Sequence, residues 1–216
     1  MSTLAAMTER FAHDERLALA DSLLAAGPDA PTVCEGWLTR DLAAHIVVRE
    51  RRPDAALGIM LTPLQSHLQQ VQDKLAADDY VTLVGKVRFP QVLSLVRIDA
   101  VEEAINLVEF FVHHEDVRRG RPGWTPRELP PAHEEALRKR VERTAQLASR
   151  RFPGTIAVHS PGLAPFEVGA GGERVDVNGA PGELLLFFTG RQRVADVEVS
   201  GPDGLVERLK GARLGL

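Results

Sequence analysis

An α+β fold follows from two observations about the chain. Over the first 151 residues, apolar side chains recur at helical spacing among charged ones. After Phe152-Pro153-Gly154 the pattern changes to short apolar runs bounded by glycine and proline, as strands require. The expected arrangement is a helical N-terminal domain over residues 1–151 and a small α+β C-terminal domain over residues 152–216.

The elements can be justified in order. Leu4, Phe11, Leu17, Leu19, Leu23 and Leu24 mark a first helix, stopped at Ala26-Gly27-Pro28. A second begins after Gly36-Trp37-Leu38, where Thr39 is placed to accept free backbone N–H groups and Asp41 sits in the positive first turn. Its apolar face runs through Leu42, Ile46 and Val47. Pro53 either ends or kinks it, because Ala55, Ala56 and Leu57 follow. Residues 64 to 88 carry Leu64, Leu68, Val71, Leu75, Val81, Leu83 and Val84, a spacing that fits one helix or two. The clearest helix spans Asp99 to Arg119, with Asp99 and Glu102 at an acidic start and Arg118 and Arg119 ahead of Gly120 and Pro122. Another runs from Pro131 through Leu137, Val141 and Leu147 to Arg151. Beyond it, Thr155 to Val158, Arg174 to Val177 and Val194 to Val199 read as strands, and Pro181 to Phe188 as a short buried helix ending at Gly190. The Gly-Ala-Gly-Gly at residues 169 to 172 leads toward a strand instead of opening a helix, so it is a turn and not a phosphate loop.

Composition narrows the function. With 216 residues, 44% apolar and 26% charged, the chain is no disordered segment. Lys+Arg of 26 against Asp+Glu of 30 leaves a net charge of −4, which gives phosphate backbones no overall attraction and argues against a nucleic-acid partner. The single cysteine, Cys34, cannot make an internal disulfide, which fits a reducing compartment. There is no basic and then apolar leader pattern, and no stretch approaches the ~18 apolar residues of a membrane span. These features lead us to expect a soluble, cytoplasmic protein without a membrane partner. The Arg49 to Arg52 and Arg138 to Arg143 runs alternate with acids and read as solvated helix faces.

The stretch VEEAINLVEFFVHHEDVRRG holds the chemistry. Its helix is apolar on nearly every side from Leu107 to Val112, yet it places Glu109 and His113 four residues apart on one face, with Asn106 and Asp116 extending the stripe. A buried carboxylate requires compensation. Either Glu109 and His113 form a buried hydrogen-bond pair, or both are ligands of a metal ion. A metal needs a third donor, and His45 in LAAHIVV lies on the apolar part of the second helix; read alone, it fits a satisfied core histidine better than a ligand. His45, Glu109 and His113 together make the three-ligand set of a zinc site with one open position. His114 lies about 100° around the helix from His113, away from the same ion. Asp116 is either a solvated acid or the carboxylate that orients His113 through its other ring nitrogen. His13, His67, His133 and His159 suggest no role.

EGWLTRDLAAH followed by a distant EFFVHHEDVRR resembles the mycothiol-dependent maleylpyruvate isomerase family, a branch of the DinB-like metal-binding four-helix bundles. GELLLFFTGR and VADVEVSGPDGL are similar to that family's small C-terminal domain, so the resemblance covers most of the chain. It implies that a helix after a Trp-containing turn supplies one histidine ligand, here His45, and that a later E-x-x-x-H pair supplies two more, here Glu109 and His113. It further implies a divalent cation, expected to be Zn2+, and mycothiol as a small-molecule thiol partner that attacks an electrophilic substrate in a transferase or isomerase reaction. A non-catalytic metal-binding or regulatory module and a metal-assisted hydrolase are the alternatives, and the oligomeric state is left open. Beside a metal site the single thiol is a candidate ligand or nucleophile, but Cys34 lies eleven residues ahead of His45, up to two or three helical turns from that ligand, and is expected to be a packed residue at the helix entrance.

Overall fold

The computed structural model describes residues 10–59, 61–89 and 99–214. The fold is α+β: helices first, and a four-stranded sheet in the C-terminal part. Leu4 of the first predicted helix lies outside the described residues, and so do the side chains of Asp99 and Glu102.

Helix α1 (Phe11–Ala26) buries Ala12, Glu15, Arg16, Leu19, Ala20 and Leu23, one helical stripe. It ends where Gly27, at φ 78°, turns the chain while its N–H still reaches the Leu23 carbonyl at 3.1 Å. Two members of the stripe are charged, and each is matched. The Arg16 guanidinium donates to Glu50 at 2.8 and 2.5 Å and to the Val87 carbonyl, and it lies over the Phe110 ring. Glu15 accepts from His114 Nδ1 at 2.9 Å and from Arg127 at 2.9 and 3.2 Å. His133, for which no role was expected, stacks on Phe11 with 4.8 Å between ring centroids and stands 3.4 Å from Glu15.

Burial raises the Glu15 pKa, but the hydrogen bond from His114 and the Arg127 charge outweigh it and hold the carboxyl below its ordinary value. A depressed folded-state pKa contributes stability that is complete above the unfolded value and lost as pH falls through the folded one. The difference in unfolding free energy between the wild type and Glu15→Gln is therefore expected to be largest near neutral pH and to shrink as pH falls below about 4.5. Urea denaturation at stepped pH measures it; a difference independent of pH would contradict the assignment.

Helix α2 (Thr39–Arg51) starts differently from expectation. Thr39 is fully buried and its hydroxyl donates to the Gly27 carbonyl, so it does not cap the helix; the Asp41 carboxylate accepts the Leu38 N–H at 2.9 Å instead. Pro53 ends this helix, and a short α3 (Pro53–Ala56) begins on it. Residues 64 to 88 form two helices, α4 (Gln65–Ala76) and α5 (Tyr80–Arg88), with the Asp79 carboxylate accepting the Thr82 N–H to start the second. Helix α6 (Asp99–Arg118) packs along α1, α5 lies against α1 and α2, and α4 against α2. Helix α7 (Pro131–Ala148) packs on α8 (Pro181–Phe188), which is buried at every residue, as the apolar run Leu184 to Phe188 requires, with Glu183 buried beside it.

The sheet has the order β2-β1-β3-β4, from β1 (Thr155–Ser160), β2 (Leu163–Gly169), β3 (Arg174–Gly179) and β4 (Val197–Ser200). β1 and β3 run parallel and the other pairs antiparallel. Ile156 opposite Val175 and Val158 opposite Val177 form its buried centre. The strand expected from Val194 starts only at Val197, because Gln192–Val194 is a single tight turn. The glycine run at 169–172 is indeed a turn, with positive φ at Gly169, Gly171 and Gly172. β2 and the last helix, α9 (Asp203–Lys210), were not anticipated: β2 is largely exposed and α9 spans only eight residues, so neither carries a sustained apolar period. The apolar core is continuous from Leu42 and Phe110 through Leu186 to Val175.

Candidate metal centre

Helices α2 and α6 bring the three expected donors together. His45 Nε2 lies 3.6 Å and His113 Nε2 3.3 Å from the same oxygen, Glu109 Oε1, and one ligand atom from each residue falls within 4.8 Å of the others. The two imidazoles meet edge to face, 5.3 Å between centroids, and Trp37 packs on His45 from the turn before α2 at 5.1 Å. His113 is 7% exposed, whereas the Glu109 side chain keeps 27% of its surface, so the cluster opens to solvent on the carboxylate side.

Asp116 is fully buried, and its Oδ2 lies 2.8 Å from His113 Nδ1. Of the two readings of this residue, orientation of His113 is the one seen. Burial alone would raise the Asp116 pKa; the hydrogen bonds from His113 and Arg191 outweigh it and keep the carboxylate ionised. An ionised acceptor fixes the proton on Nδ1 and leaves Nε2 facing Glu109 and His45. For His113 itself, burial lowers the pKa, but the hydrogen bonds with Asp116, Cys34 and Glu109 prevail and hold it well above the ordinary histidine value. His45 shifts the other way: burial outweighs its hydrogen bond to Glu109 and keeps the ring neutral. Glu109 is held well below the ordinary carboxylate range, since the His113 and His45 hydrogen bonds and the Arg49 charge overcome its burial.

Two residues of this centre, Arg49 and Arg191, escaped sequence reasoning, and a third, Cys34, was expected to pack at the helix entrance. Arg49 is no solvated-face residue. It lies one turn beyond His45, its Nε is 3.2 Å from Glu109 Oε1, and its Nη1 donates to Asn106 Oδ1 at 2.7 Å. The same four-residue spacing that paired Glu109 with His113 could have revealed it. Arg191, from the loop after α8, donates to Asp116 through Nε at 3.0 Å and Nη2 at 2.6 Å. In the sequence it closes the GELLLFFTGR stretch, where no period connects it to the polar stripe of α6.

Cys34 is the third, and it packs against the residues behind His113, not only at the helix entrance. Its thiol donates to Asp116 Oδ2 at 3.2 Å, and Sγ belongs with His113 and Asp116 to a second group of possible metal donors. The chain does not run straight from Cys34 to His45. The 31–38 turn folds back, with the Val33 N–H on the Asp116 carbonyl at 3.0 Å and a bridge between Pro31 and Leu38, so the thiol reaches the Nδ1 side of His113. His114 points away, as its place on the helix required, between Glu15 and the Ser22 hydroxyl.

No helix among the described residues is long and apolar enough to cross a membrane. No protein-family model and no curated protein matches the chain. Among solved structures, the chain is similar to the crystal structure of a mycothiol-dependent maleylpyruvate isomerase, at 15% identity over 88% of this chain and 90% of that one, with a TM-score of 0.49.

Proposed function

We propose that His45, Glu109 and His113 hold a divalent cation, Zn2+, and that the protein is a metal-dependent enzyme using a small thiol, mycothiol, in transfer or isomerisation of an electrophilic small molecule. The reading takes residues 1–151 as a DinB-like four-helix bundle and 152–216 as its C-terminal domain. The observation that carries it is the convergence of the three donors. Donors on a zinc tetrahedron with bonds of about 2.0–2.1 Å stand about 3.3–3.4 Å apart; the Glu109 Oε1 edges to His113 and His45 measure 3.3 and 3.6 Å. Mycothiol rests on the sequence resemblance alone.

When bound, such a cation supplies Lewis acidity that holds a thiol as its thiolate, below the ordinary thiol pKa of ~8.5. The chain's own groups prepare for this. His45 offers a neutral lone pair, and Asp116 turns His113 Nε2 toward the shared position. Arg49 neutralises Glu109 and stands beside the open face, where an anionic sulfur or a polarised substrate oxygen would sit. In transfer, the thiolate forms a C–S bond as the bond to the leaving group breaks and that group departs with its electron pair; in isomerisation, addition breaks the C=C π bond to give an enolate, the remaining single bond rotates, and elimination breaks the C–S bond to restore the double bond and the thiolate.

Metal analysis of the purified protein and titration with mycothiol test the proposal: one bound ion and metal-dependent thiol binding are expected, and neither being found would overturn it. Asp116→Asn is expected to weaken Zn2+ binding about 10- to 100-fold in chelator competition, the cost of losing a carboxylate behind a histidine ligand. One observation favours a non-catalytic reading. Arg49, His45 and His113 already surround Glu109 Oε1, which satisfies the carboxylate as a self-contained ion-pair cluster. In that case added Zn2+ leaves the thermal midpoint unchanged, whereas a specific site raises it.

A further inference from the structure

The turn that carries Cys34 also borders, through Thr32 and Val33, a groove of about 320 Å3, near the lower end of the size range for ligand pockets. Its wall carries Arg119, Arg121 and Arg193 and contains no acidic residue, in a chain whose net charge is −4. Arg119 is internally neutralised, bonded to Glu115 at 2.6 Å and to Glu183 at 2.8 and 2.6 Å. The other two are not. Among the described residues Arg121 has no ion-pair partner, and Arg193 donates only to the neutral Val33 carbonyl. The flat part of the wall is Trp124, half-buried and held by the Arg119 guanidinium stacked 4.4 Å from its ring centre, with Val33 and Val194 beside it. Gly120 sets the depth: a Cβ there would stand 2.1 Å from the Pro31 carbonyl oxygen, so only glycine lets the turn close the groove.

Two guanidinium groups without carboxylates beside a fixed indole make a complementary surface for one chemical class. We infer that this groove binds a small organic oxyanion, a carboxylate or phosphate ester on a flat apolar body, with Arg121 and Arg193 taking the oxyanion and Trp124 the body. The site is separate from the proposed metal site and does not rest on it. The two share a wall, since Val33 also bonds Asp116 and Arg193 lies two residues from Arg191.

The test titrates chelator-treated full-length protein with phenyl phosphate and with benzoate, read by tryptophan fluorescence, with Trp124→Phe assigning the signal. Saturable binding is expected for at least one probe, tighter than inorganic phosphate or neutral benzyl alcohol. It should weaken about tenfold or more in Arg121→Gln and in Arg193→Gln, the scale of losing one charge-assisted hydrogen bond. His45→Ala should leave it unchanged. Whichever probe binds tighter identifies the oxyanion. Arg121 is exposed, so its variant keeps the test valid if Arg193→Gln fails to fold. No saturation by about 10 mM, unchanged affinity in the arginine variants, or loss of binding in His45→Ala would overturn the inference.

Discussion

His113→Ala is expected to abolish stoichiometric Zn2+ binding while the chain stays folded. His113 is the one donor shared by both halves of the centre: its Nε2 faces Glu109 and its Nδ1 is fixed by Asp116. Loss of a group behind a ligand costs about 10- to 100-fold in affinity, so loss of the ligand itself should exceed about 100-fold. The fold should survive, because the side chain lies at the edge of the core and Asp116 keeps Arg191 as a partner. Metal analysis after dialysis and thermal unfolding with and without Zn2+ check both halves. The wild-type midpoint should rise with Zn2+ and the variant's should not; an equal rise in both would place the ion elsewhere.

Arg119→Met is expected to destabilise the protein by about 3–5 kcal/mol, the cost of stripping one partner from a buried ion pair. Arg119, just past α6, is 4% exposed and joins α6 to α8: it bonds Glu115 in the last turn of α6, both oxygens of Glu183, and the Val194 carbonyl at 2.6 Å. Without it Glu183, 6% exposed, keeps among the described residues only the Asp196 N–H at 2.8 Å. Glu115 fares better, since Arg118 and Arg127 also reach it. Adding Glu183→Gln should therefore recover part of the loss by removing the stranded charge. Urea denaturation of the single and double variants measures this. A single-variant cost under about 1 kcal/mol would mean that solvent reaches the pair, as at exposed ion pairs.

The legible part of the centre lies within single helices. Glu109, His113 and Asp116 share one face of α6 because helical geometry sets their spacing whatever surrounds them, and one polar stripe in an apolar helix has to be compensated. His45 was legible for the same reason, as an imidazole on the apolar part of α2. Arg49 shares that face but sits at the start of a charged run, where alternation with acids resembles a solvated surface. The helix boundaries at Pro53 and Asp79 depended on chemistry the period does not carry: a proline that could end or continue a helix, and a carboxylate free to cap one.

Taken by itself, the sequence determined the α+β class, the buried helix at 181–188 and the three candidate ligands, because each follows from local period and from the cost of burying charge, and it left Asp116 open between a solvated acid and the carboxylate behind His113. Only the tertiary structure decided that Cys34 and Arg191 meet at Asp116, across 82 and 75 residues of chain. Both come from loops, whose paths are set by what they pack against and not by a repeating pattern of side chains. For Cys34 this matters most: the 31–38 turn folds back onto the Asp116 carbonyl, and a residue that spacing placed turns away from His45 lies against the group that orients His113.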